Sequence, residues 1–129
     1  MKLILNLGYS LDNLVAKLSD ESTVGEALSG LVAFNKDKDF YTTYARNFVG
    51  KSVKANADGD SRVGAVRQAS SLISSCQELL EGRQGLVGKE AADEAVKRVK
   101  QAQKYLVSFC EGSGLAQDER VAKFISIHS

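Results

Sequence analysis

The sequence predicts a mainly α domain: a small helical bundle built on an antiparallel helical hairpin, about 61–81 and 89–111. Three observations carry this. Proline is absent, so no ring interrupts a helix. Two segments place apolar residues in alternating steps of three and four. Glycines close those segments where a helix C-terminus is expected. The 129 residues suit a single domain, 1–129, with 43% hydrophobic and 26% charged residues, an ordinary globular composition.

In chain order, the start MKLILNLGYS reads as a strand with Leu3, Leu5 and Leu7 on one face. Asn6 and Gly8 leave its apolar run too short for a signal peptide. Ser10 can cap a short helix over Leu11, Leu14, Val15 and Leu18. Thr23 and Glu26 have the spacing of a capping box, opening a helix through Ala27, Leu28, Leu31 and Val32. Asp39 is the expected cap for DFYTTYARNFV, with Gly50 closing it. In that segment Phe40, Tyr41, Tyr44, Ala45, Phe48 and Val49 share a wide face, with Thr42, Thr43 and Arg46 opposite. Interleaved aromatic and basic residues suit single-stranded nucleic acid, but a core-facing helix accounts for this face more simply.

Residues 51–60 are the longest polar connection, ending in Asp58-Gly59-Asp60. The EF-hand spacing fails, because Lys54 would take the first ligand position and Ala65 the twelfth. The stretch reads as a turn and a helix cap. The first long helix follows, with Val66, Ala69, Ile73, Cys76 and Leu80 on its seam. The second carries Ala92, Ala95, Val99, Ala102, Leu106 and Phe109. Gly82 and Gly112 are expected to close them. The tail, LAQDERVAKFISIHS, fits a helix over Val121, Ala122 and Ile125. It equally fits a strand, FISIH, beside the N-terminal one, giving a short terminal strand pair.

Between the long helices lies GRQGLVGKE. A phosphate-binding loop requires G-x-x-x-x-G-K-[ST] entered from a strand. Here Arg83 stands in place of the first glycine and Glu90 in place of the hydroxyl residue, and a helix precedes it. Gly82-Arg-Gln-Gly85 matches the G-x-x-G clamp of nucleic-acid-binding KH domains, but no sheet surrounds it. The stretch is a helix–helix connection.

Catalytic chemistry finds little purchase. His128 is the single histidine, and no Cys or His spacing suits zinc. Cys76 and Cys110 fall among apolar positions, as buried thiols do. The carboxylates of 78–94 read as a solvated acidic surface. No catalytic, cofactor-binding or metal-binding residue is assigned.

The net charge is +1, yet its distribution is uneven. Residues 41–77 hold five basic and two acidic residues, 78–94 two basic and five acidic, and 95–110 four basic and none acidic. In the second long helix this order matches the macrodipole, whereas in the first it opposes it. Folded as a hairpin, basic residues gather at the open end and acidic ones (Glu78, Glu81, Glu90, Asp93) at the loop end.

The expected function is therefore non-catalytic: a cytoplasmic self-associating or protein-interaction module, of a kind that would suit an accessory or structural part of a phage or other assembly, including one inside a virion. Self-association is expected through flanks of the second helix, with Ala91 and Tyr105 on one side and Val96 and Val107 on the other. The alternative is a small nucleic-acid-binding protein using Arg46, Lys51, Lys54, Arg62, Arg67, Lys100 and Lys104. Neither cofactor nor membrane enters either reading.

Overall fold

A computed structural model describes residues 1–50 and 59–129. Among them there are six α-helices and no strand: α1 (Lys2–Leu18), α2 (Val24–Asn35), α3 (Phe40–Gly50), α4 (Ser61–Leu80), α5 (Gly88–Glu111) and α6 (Glu119–His128). A 3₁₀ turn, Glu21–Thr23, leads directly into α2.

The strand pair expected from the termini is not formed, for both segments are helical. Over five residues, Leu3, Leu5 and Leu7 fit a period of two. Over seventeen, the buried positions are Ile4, Leu5, Leu7, Gly8, Leu11 and Leu18, a helical stripe. Gly8 lies inside α1 under the ring of Phe124, and a Cβ added there would overlap that ring. The missing side chain makes room for α6.

Other local expectations also shift. Ser10 does not start a helix; it lies inside α1 and donates to the Leu7 carbonyl at 2.7 Å. The Thr23–Glu26 capping box does not form. Asp20 accepts from the Ser22 N–H at 2.9 Å, while the Thr23 hydroxyl donates to the Lys17 carbonyl at 2.8 Å. The 3₁₀ turn has already supplied partners there, so Thr23 is free to tie α1 to α2. In α3 the buried face is rotated: Thr42, Ala45 and Val49 are buried, and Phe40 is 43% exposed.

The long helices begin and end as their residues dictate. Asp60 caps α4, accepting from the Arg62 N–H at 2.8 Å and from its guanidinium at 2.7 and 2.9 Å. These bonds hold the Asp60 carboxyl down at about 2. At the other end Gly82 adopts φ +78°, with its N–H on the Leu79 carbonyl and the next N–H on Glu78, the left-handed stop glycine permits. Gly112 ends α5 in a right-handed conformation instead.

Side-chain contacts fix the helix directions. Arg62 reaches the Gly112 carbonyl at 3.2 Å, Arg98 reaches Ser75 Oγ at 3.0 Å, and the Cys76 thiol lies 3.8 Å from the Ala95 carbonyl. So α4 and α5 run antiparallel. Cys110 Sγ lies 3.9 Å from Met1 Sδ, and Gln103 donates to Gly8 O at 3.1 Å, so α1 runs antiparallel to α5. The apolar residues of all six helices join one core cluster.

That arrangement changes the standing of the α5 flanks. Ala91 (1% exposed) and Val107 (4%) are buried within the chain, and Val96 and Tyr105 are half-buried against its core. Val96 and Val107 share a face with Gln103 and Cys110, the residues that meet α1. On that face α1 lies against α5 along the chain from Met1 to Gly8. The flanks therefore do not supply a free surface.

Candidate functional site

The side chains with the greatest intrinsic reactivity are committed inside the fold. The His128 side chain is 4% exposed. Its Nδ1 lies 2.9 Å from the Phe124 carbonyl, and its Nε2 lies 3.0 Å from Asp12 Oδ2. Its ring packs 4.3 Å from that of Phe124, and Tyr9 meets both rings edge-on. Asp12 Oδ1 also accepts from Gln103 Nε2 at 2.7 Å. Each imidazole nitrogen faces an acceptor, so the group serves as a clasp between α1, α5 and α6. A general base needs a free nitrogen near its substrate. His128 has neither.

Cys76 and Cys110 are fully buried and unbridged. Burial pushes the Cys76 thiol up to about 11 and that of Cys110 to about 12. A thiol in that range carries almost no thiolate at neutral pH. Both are therefore expected to label slowly with a maleimide or disulfide reagent in the native protein and rapidly in denaturant. Labelling of either at the unfolded rate under native conditions would show an open face that this packing denies.

Among the described residues, no group of three or more His, Cys, Asp or Glu is placed to hold a metal ion. None of the described helices is long and apolar enough to cross a membrane.

Four residues of the nucleic-acid reading lie on the hairpin helices, Arg62 and Arg67 on α4 and Lys100 and Lys104 on α5. Arg62 is spent on Asp60 and the end of α5. Arg67, Lys100 and Lys104 are exposed, and Arg46 is half-buried in α3. Lys51 and Lys54 lie outside the described residues. The acidic end is partly neutralised by local partners, with Arg83 on Glu81 at 2.6 Å and Lys89 on Asp93 at 3.7 Å.

Two grooves stand out. One, of about 430 Å³, runs between the start of α3 and α4, where Thr42, Ser70 and Ser74 meet Lys38, Asp39 and Glu78. Among the described residues Ser70 Oγ has no hydrogen-bond partner, but it is sealed from solvent and out of a ligand's reach. The groove's hydroxyls and mixed charges are those of a solvated helix face.

The other groove, of about 500 Å³, lies where the end of α1 and the 3₁₀ turn meet the first turns of α5. Leu18, Val24 and Ala92 form its apolar lining, with Glu21, Lys89 and Asp93 also on it. This is the neighbourhood of the GRQGLVGKE stretch, which forms the α4–α5 connection. Two carboxylates beside Lys89 make it a poor seat for a triphosphate. Immediately before Gly88 comes Val87, 72% exposed, the most exposed large apolar side chain among the described residues. Sequence reasoning passed over it; the available signal was an apolar Leu-Val pair in a connection that needs only glycine and polar residues.

Comparison of the chain with protein-family models, curated proteins and solved structures gives no match.

Proposed function

We propose that this chain is a non-catalytic interaction module, with the antiparallel α4–α5 hairpin as its rigid spine and another copy of itself as the favoured partner. One observation carries the reading. The imidazole and both thiols, the groups most apt for nucleophilic or acid–base work, are each held in packing or internal hydrogen bonds. The chemistry left to the surface is that of contact: exposed charges of both signs and a few protruding apolar side chains. The nucleic-acid reading is weakened at Arg62, whose guanidinium is occupied by Asp60 and Gly112.

Sedimentation velocity over a wide concentration range, with and without single-stranded RNA or duplex DNA, tests this. The expected result is a concentration-dependent shift to larger species without nucleic acid. A monomer at every concentration, moving only when nucleic acid is added, would overturn the proposal.

A further inference from the structure

We infer that the chain self-associates through the loop end of the hairpin, each copy inserting Val87 into the apolar groove of a two-fold-related partner. The inference rests on the self-association reading and names its surface.

The knob is Val87. It sits in extended backbone, φ −136° and ψ 159°, immediately before α5, and its side chain leans over Gly82. Extended backbone suits a β-branched residue, whose side chain has few rotamers to lose. Its neighbour Leu86 is half-buried against the core, so the loop is anchored by one apolar residue and displays the other. A valine held out at 72% exposure gains nothing for the isolated chain.

The hole adjoins the knob. Gly88 and Lys89, the next two residues, form one wall of the 500 Å³ groove, and Leu18, Val24 and Ala92 give it an apolar lining. In an isologous contact the same patch is presented by both copies. A knob and a hole side by side on one patch meet that condition, since one two-fold axis fills both holes.

The charges around the groove choose the occupant. Lys89 carries one sign, Glu21 and Asp93 the other. Within the chain Lys89 reaches Asp93 at 3.7 Å, with side chains 91% and 64% exposed, an arrangement worth little in water. Lys89 is therefore available to a carboxylate of the opposing copy, and the patch is complementary to itself. A polyanion would meet Glu21 and Asp93 at the same place. An interface centred on one valine belongs to the small, weak class, below about 1,200 Å² in total.

The test is sedimentation equilibrium of the full chain with Val87→Asp, Glu21→Lys, and Glu21→Lys combined with Lys89→Glu. Val87 is exposed and stands at the N-cap of α5, where Asp is a favoured residue, so Val87→Asp should keep the wild-type helical content and a melting temperature no lower than the wild type's, which circular dichroism verifies. The expected result is at least a tenfold rise in dissociation constant for Val87→Asp. A smaller rise is expected for Glu21→Lys, reversed in the double variant. If folded Val87→Asp associates as the wild type does, this surface is wrong while self-association stands. A wild type that stays monomeric at every concentration overturns both, and so distinguishes the two failures. A Glu21→Lys defect that Lys89→Glu deepens also overturns the two-fold pairing.

Discussion

Phe109→Ala is expected to lower the unfolding free energy by about 3–5 kcal/mol. Phe109 is fully buried near the end of α5, with its ring 5.5 Å from that of Phe48 in α3. Truncation removes a large apolar transfer term and leaves a cavity that the surrounding helices can only partly close. Little can move in, because Val63, Val66, Leu106 and Cys110 in the neighbouring turns are themselves fully buried. Such a loss is a large fraction of the roughly 5–15 kcal/mol that holds a domain of this kind together. Phe40→Ala is the control. That side chain is 43% exposed and lies against Tyr41, so its loss should cost less than about 1 kcal/mol. Urea denaturation at fixed pH measures both. Equal costs would mean that the aromatic face of α3 has been turned the wrong way.

The long helices were legible because many residues vote on their period. Six seam positions from Ala92 to Phe109 are all buried, and Asp60 and Gly82 mark boundaries by side-chain and backbone chemistry that is local in sequence. The termini were not legible for the opposite reason. Five residues around Leu3, Leu5 and Leu7 fit either period, and a glycine inside a helix is indistinguishable from a break until its neighbour is known. That neighbour is Phe124, more than a hundred positions away. Periodicity shows that Ala91, Val96, Tyr105 and Val107 flank the seam of α5 but not what packs on them, and in the fold Ala91 and Val107 are buried within the chain while Val96 and Tyr105 pack partly against its core. The candidate surface was hidden at the same level. Leu86 and Val87 are both apolar residues in a glycine-rich connection, and only the packing of the helices tucks in the first and exposes the second.

Gly8→Ala is expected to change sign with its background. In an isolated helix the substitution favours folding by about 1 kcal/mol, since glycine has the greater backbone freedom to lose. In this chain the added methyl would enter the Phe124 ring. That ring is fully buried, flanked by Tyr9 at 5.5 Å and by His128 at 4.3 Å, so it has no open side to swing toward. Overpacking of this kind costs about 1–3 kcal/mol. The clash offsets or outweighs the propensity, and a net loss of up to about 2 kcal/mol is expected from the difference of those two terms. Phe124→Ala alone should cost about 3–5 kcal/mol, because it removes the ring that docks α6 on α1. Once the ring is gone, the methyl at position 8 has space, and only the propensity term remains. Gly8→Ala should then be neutral or stabilising by up to about 1 kcal/mol in the Phe124→Ala background. The double-mutant cycle reads this coupling directly from three variants and the parent, by chemical denaturation. A methyl that stabilises the parent would show that α6 does not rest on Gly8, and the His128–Asp12 clasp would fall with it.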